Sequence, residues 1–258
     1  VAAKLSGLNM VTTAVIATAD PGDHQVLVTG DAYGMGAISG VVRGGPLLFV
    51  SGIRGYHDPL AGAAVAEETP AAFAAQTVVS YRLIKHLLEA AGADLENIVR
   101  LDCYLRDRGR IADEQRLRRE ALGDIPVTAT MMPLPLGLRG EVEITALAVA
   151  PGENKDVLAR DGAGQALVIS GAGYVFIGEC LGTADANSGA PIARLAGDVG
   201  GQIDQALDTL RARLDAAGSD VSRVVRLDVL LRDINAETLF LNKARAAFGE
   251  DPPALYMT

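Results

Sequence analysis

Apolar and polar positions alternate along this chain in blocks that recur. Leu47–Ser51 and Leu167–Ser170 are short apolar runs, each stopped by Ser-Gly, and both predict strands. A helical pattern follows each. In the first, Thr69 can cap the helix and Pro70 suits its first turn, with Phe73, Tyr81, Ile84 and Leu88 at roughly helical spacing. In the second the stripe is Val199, Ile203, Ala206, Leu207, Leu210 and Leu214. Both end at Ala-Ala-Gly, a C-terminal stop. Ile98–Leu105 and Val224–Leu231 are rich in β-branched and apolar residues and predict strands. Second helices are expected over Ile111–Leu122 and Glu237–Phe248, and a last strand over Glu141–Ala150, closed by Pro151-Gly152. The order β-β-α-β-α-β-β predicts an α+β unit, a sheet with two helices packed on one face.

The recurrence is literal. Glu89–Asp107 (EAAGADLENIVRLDCYLRD) and Asp215–Asp233 (DAAGSDVSRVVRLDVLLRD) are identical at 11 of 19 positions without a gap. Upstream, Leu48–Gly52 pairs with Leu167–Gly171; downstream, Ala121–Gly123 pairs with Ala247–Gly249. Each unit is about 125 residues, the size of a small domain. The match breaks at the last strand, since only Ala254–Thr258 follows Pro253 in the sequence given. The missing piece resembles the other end of the chain. Leu8–Gly22 (LNMVTTAVIATADPG) is similar to Leu138–Gly152 (LRGEVEITALAVAPG), and Gly22–Leu27 to Gly152–Leu158. The expected domains are therefore 23–152, and 153–258 completed by 1–22, a circularly permuted tandem repeat. Completion can occur within one chain or by exchange between chains, and Thr258 and Val1 can also flank a processed or engineered junction.

Composition narrows the function. The chain has 258 residues, 49% of them hydrophobic, with a formal net charge of -9. An acidic surface opposes phosphate backbones, so nucleic acid is not an expected partner. Aromatic residues make up 4%, too few for a base-stacking platform. No apolar run reaches the ~20 residues of a membrane span, and no membrane partner is expected. Val1–Met10 lacks a basic stretch followed by an apolar one, so no secretory signal is expected there. Two cysteines, Cys103 and Cys180, point to a reducing cytoplasm rather than a disulfide framework. The histidines His24, His57 and His86 are scattered, so no metal site or cofactor is expected. His86 is expected on a solvent face, and so is the charged run Arg116, Arg118, Arg119, Glu120. One of Cys103 and Tyr104 should face the core.

The strand–Ser-Gly, the helix ending Ala-Ala-Gly, the (I/V)VRLDxxLRD strand, the second helix and the final E-I-x-A-x-A-V strand together resemble the YjgF/RidA family. These are the reactive-intermediate deaminases, also labelled endoribonuclease L-PSP-like. The resemblance covers both units. It implies chorismate-mutase-like domains, homo-oligomers with trimer-like packing, and small-molecule sites in clefts between domains. It also implies hydrolysis of small enamines and imines to ketones and ammonia. In the family an Arg after Pro holds the substrate carboxylate and a Glu on the last strand activates water. That Glu corresponds to Glu143, the expected catalytic residue. The Arg position holds Thr128 in Pro126-Val127-Thr128, and Leu255 in Pro253-Ala254-Leu255. In the N-terminal segment Thr12 or Thr13 takes the Glu position. A relocated arginine can compensate, either Arg139 just ahead of Glu143 or Arg54 in the loop after Ser51-Gly52. The expected substrate-binding set is Thr128, Arg139, Ser51, Gly52, Arg54, Tyr56 and His57. A non-catalytic ligand-binding or scaffold protein of the same fold is the alternative.

Overall fold

The computed structural model describes residues 18, 20–33, 38–64, 70–134, 136, 140–186 and 188–257. Thr18–Glu179 form one compact unit, and the described part of a second begins at Cys180. The first contains β1 (His24–Thr29), β2 (Ser39–Gly44), β3 (Leu47–Ile53), β4 (His57–Asp58) and β5 (Ala63–Ala64). Next come α1 (Pro70–Ala90), β6 (Ile98–Leu105), α2 (Ile111–Leu122), β7 (Thr128–Pro133) and β8 (Val142–Val149). It closes with β9 (Lys155–Arg160), β10 (Ala166–Gly171) and β11 (Tyr174–Ile177). The fold is mixed α+β, as the periodicity predicts, and β6 and α2 carry the expected bounds.

Six strands form one sheet in the order β1-β2-β3-β8-β6-β7. β8, late in the sequence, is inserted antiparallel between β3 and β6, while β7 runs parallel to β6. Alternation sorts the two faces. Ile98, Leu101, Cys103 and Leu105 of β6 and Val142, Ile144 and Ala148 of β8 are fully buried on the helix side. There they meet Phe73, Ile84, Leu87 and Leu88 of α1 and Leu117 and Leu122 of α2. At one end, Val99 and Val149 pack with Ala166, Ile169 and Phe176 of the β9–β11 sheet. That contact draws residues 153–179 into the first compact unit, so its boundary lies beyond Pro151-Gly152, where the sequence repeat restarts. Thr69 lies outside the described residues, as does nearly all of Leu8–Gly22.

Two expectations about exposure are corrected. His86 is half-buried, its ring edge-on to Tyr33 with centroids 5.5 Å apart. Arg118 is not on a solvated face: it is 6% exposed and sits 3.7 Å from the fully buried Glu114 as an ion pair. Tyr81 donates to Glu114 Oε1 at 2.5 Å, and Cys103 Sγ lies 3.5 Å from the same oxygen. Burial pushes both the tyrosine and the thiol well above their ordinary pKa ranges, with the Glu114 charge adding to the effect. Glu114 Oε2 and Arg118 Nη1 have no hydrogen-bond partner among the described residues. A thiol held protonated and fully enclosed is not a nucleophile.

The second unit places α3 (Val199–Ala216), β12 (Arg226–Val229), α4 (Glu237–Phe248) and β13 (Ala254–Met257). The second helix bounds are those expected. Asp198 caps α3 through the Gly201 amide. β12 is shorter than the predicted Val224–Leu231 and pairs in parallel with β13. In the repeat alignment, Leu207, Val229, Phe240 and Ala244 stand where the first unit has Tyr81, Cys103, Glu114 and Arg118. Leu207, Phe240 and Ala244 are all buried.

Arg118→Ala should therefore cost about 3–5 kcal/mol, because it strands the Glu114 carboxylate in the core. Adding Tyr81→Leu, Cys103→Val and Glu114→Phe should restore most of the loss, as read from urea unfolding. A second expectation concerns Lys155, whose Nζ donates to the Glu96 carbonyl at 2.7 Å. Partial burial lowers its pKa from 10.5 to about 8, against a smaller opposing pull from Glu96. The unfolded chain then binds this proton more tightly, so the cost of burying the charge should fade as pH rises from about 8 to 10.5. Urea midpoints across that range should show the gain in the parent protein and not in Lys155→Met.

Candidate functional site

Glu143 lies on β8, on the face away from the helices, opposite Tyr104 of β6. The β3–β8 ladder slips by one residue between Val50 and Ile53, where a bulge places Ser51-Gly52. The slip brings Gly52 against the carboxylate. A Cβ at that position would lie 2.4 Å from Glu143 Oε1, so glycine is what admits the side chain. Just beyond the bulge, Arg54 Nε donates to Glu143 Oε2 at 2.6 Å. These side chains are 40% and 23% exposed, so the pair is open to solvent. Arg54 has no other hydrogen-bond partner among the described residues, which leaves its two terminal nitrogens unengaged.

The loop that carries Arg54 is fixed from below. Gly55 has φ 61° and lies so close to α1 that a Cβ would overlap the Gln76 carbonyl. Ser80 Oγ donates to the Ile53 carbonyl at 3.2 Å. Asp58, 5% exposed, accepts from the Leu60 and Ala61 amides and from Arg82. Gln76 Oε1 accepts from the Glu141 amide at 2.8 Å, fixing the chain two residues before Glu143. Arg106 pairs with Glu141 at 3.4 Å on the same flank. Helix α1 therefore holds both chain segments that carry the ion pair.

The remaining expected residues separate. Ser51 is adjacent, but its hydroxyl is committed to the Ser39 carbonyl at 2.6 Å. Tyr56 and His57 are exposed on the β4–β5 hairpin and make no hydrogen bond to Arg54 or Glu143 among the described residues. Thr128 is fully buried, and its hydroxyl donates to the Val99 carbonyl at 2.8 Å. It pairs with Arg100, four residues along β6 from the strand position facing Glu143, or roughly 13 Å away at about 3.3 Å per residue. Thr128 thus serves the sheet and is not brought together with Glu143. Arg139 lies outside the described residues, as do Thr12 and Thr13. Sequence reasoning passed over Tyr104 and Gln76, although strand register gives the first. Among the described residues, no group of three or more His, Cys, Asp or Glu is placed to hold a metal ion. Among them, too, no helix is long and apolar enough to cross a membrane.

An exposed ion pair contributes about 0–1 kcal/mol. Arg54→Ala and Glu143→Ala should each shift stability by under about 1 kcal/mol in urea unfolding. A larger loss would mean that the pair is there for the fold.

Residues 31–150 match the family model described as Endoribonuclease L-PSP. None of the curated proteins matches the chain. Among solved structures, Rv2704 of Mycobacterium tuberculosis, a YjgF/YER057c/UK114 family member, is 30% identical over 49% of this chain and 99% of its own, with a TM-score of 0.39. RidA from the Antarctic bacterium Psychrobacter is 26% identical over 45% and 89%, with a TM-score of 0.40. The Rid-family protein YyfA of Yersinia pestis is 20% identical over 49% and 99%, with a TM-score of 0.43. Residues 31–150, just under half of the chain, are thus similar to the endoribonuclease L-PSP family.

Proposed function

We propose that the first unit carries a small-molecule site that hydrolyses the C=N bond of a carboxylated imine, formed from its enamine, to a ketone and ammonia. The observation that carries this reading is the Arg54–Glu143 pair. The arginine usual for the family is replaced by Thr128, yet a guanidinium still stands beside the acid. Nε steers the carboxylate of Glu143, and the terminal nitrogens present a fork matched to a substrate carboxylate. Glu143 takes a proton from water as the oxygen adds to the imine carbon. It passes that proton to the imine nitrogen, then moves the proton of the new hydroxyl to the amine as the C–N bond breaks, so that ammonia leaves and the oxygen remains as the ketone. Water supplies the ketone oxygen, and no redox step is needed.

The repeat supports one such site per chain. Continued from Leu167–Gly171, the alignment places Gly173 at the Arg54 position, and Thr12 or Thr13 stands for Glu143. Both members of the pair are lost together, which fits a second copy of the domain, 153–258 with 1–22, that binds or builds without catalysing. A cytoplasmic homo-oligomer acting on a metabolite, with a net charge of -9 that disfavours RNA, completes the reading.

Ammonia release from a small 2-imino acid generated in situ tests it. Glu143→Gln should lower turnover by about 100-fold or more with the fold intact. Arg54→Gln should act mainly through KM. Unchanged turnover in Glu143→Gln removes the assignment, and saturable binding without ammonia release by the parent protein selects the scaffold alternative.

A further inference from the structure

Pair by pair, β9–β11 repeat β1–β3. In the first set His24, Gln25 and Val26 lie opposite Gly44, Arg43 and Val42, Leu27 bulges, and Val28 meets Val41. In the second, Lys155, Asp156 and Val157 lie opposite Gly171, Ser170 and Ile169, Leu158 bulges, and Ala159 meets Val168. Both sets then turn through two residues, so that Gly44 faces Leu47 and Gly171 faces Tyr174. The match continues past the strands. A Cβ on Gly55 would overlap the Gln76 carbonyl, and a Cβ on Gly182 would overlap the Gln202 carbonyl. Asp58 accepts from the Ala61 amide and Asp185 from the Ser188 amide, three residues on in each case. Strand register therefore matches β3 with β11, one strand later than the sequence pairing of Leu48–Gly52 with Leu167–Gly171. Leu181, rather than Gly173, takes the Arg54 position, and Glu179 takes that of Gly52.

Gly52 is the residue whose missing side chain admits the Glu143 carboxylate. A side chain at the matching position is directed at the matching place. We infer that Glu179 is the acid of a second site, moved from the last strand to the strand matched with β3, and that this site takes a ligand bearing a primary ammonium group. The inference rests on the two-copy reading and on reading the surroundings of Glu143 as a ligand site. The residue aligned with Glu143 is Thr12 or Thr13, so the glycine and glutamate of the first copy become glutamate and threonine in the sequence of the second. Glu179 is half-buried, and its Oε1 accepts from the Met131 amide at 3.3 Å. The preceding Gly178 lies against Thr128, where a Cβ would stand 3.6 Å from the threonine Cβ. The amide of β7 thus holds the carboxylate in place. With leucine at position 181, the fork that suits a ligand carboxylate in the first copy is gone. The acid that remains is an acceptor suited to a cation with N–H donors.

The test uses the full chain isotopically labelled at the methionine nitrogens, which makes the Met131 amide an NMR reporter beside Glu179. Butylammonium, added at constant ionic strength, should move that signal with saturation. Glu179→Gln keeps the size of the side chain and should weaken the binding about tenfold or more. Tetramethylammonium carries the charge without N–H donors and should leave the signal in place. No saturable response to butylammonium overturns the proposal, and so does an equal response to tetramethylammonium or in Glu179→Gln. Leu181→Arg is a second variant, at a side chain 48% exposed, that leaves the Met131 contact intact. It rebuilds the pair of the first copy and should weaken butylammonium by a similar factor, and unchanged binding there also overturns the proposal. Calorimetry with butyrate reads the first site separately. If butyrate binding is unaffected by Arg54→Gln while butylammonium binding is lost in Glu179→Gln and Leu181→Arg, the carboxylate reading of the first site fails and the second site stands.

Discussion

The first unit depends on a strand that arrives late in the sequence and sits in the middle of the sheet. Until β8 is in place, β3 and β6 have open edges and the core face of the sheet is split between two pieces. With it, Val142, Ile144 and Ala148 join Leu101, Cys103 and Leu48 into one buried layer beneath α1. The same strand carries Glu143 on its other face. Fold closure and the site are thus one event: the alternation that buries Ile144 turns Glu143 outward beside the bulge at Gly52. A one-residue slip of β8 would bury the carboxylate and expose the apolar set.

The elements were legible because their signals are local. The helices Ile111–Leu122 and Glu237–Phe248 follow from apolar spacing, and Ile98–Leu105 from its β-branched run. The site was legible in part. Arg54 and Glu143 are far apart in the chain, and only the repeat, the family pattern and the loop after Ser-Gly place them near one another. Thr128 shows where such reading stops. An aligned position says which residue stands there, not which way the strand turns it, and this hydroxyl points into the sheet toward Val99. Arg118 was misread because a run of charges suggests solvent. The overlooked signal is that Glu114 and Arg118 lie four residues apart on the same stripe as Leu117 and Leu122.

That inward pair gains meaning from its counterpart. The second unit puts Leu207, Val229, Phe240 and Ala244 where the first has a tyrosine, a thiol, a carboxylate and a guanidinium. On the repeat alignment, an ionic set and an apolar set thus stand at corresponding positions. Buried ion pairs are commonly no better for stability than apolar residues of similar volume.

The place of β8 also sets an order of events. On a ribosome, residues 24–133 would emerge before the strand that joins them, leaving the β1–β3 and β6–β7 pieces with unpaired edges. Strand pairings between distant residues form slowly, and open edges are where chains aggregate. The long α1 has a use in that interval. By gripping the Gly55 turn and covering Leu101 and Ile53, it can hold the two pieces in register while the slot between them is still empty. The helix would then act first as a template for assembly and only afterwards as a wall of the core.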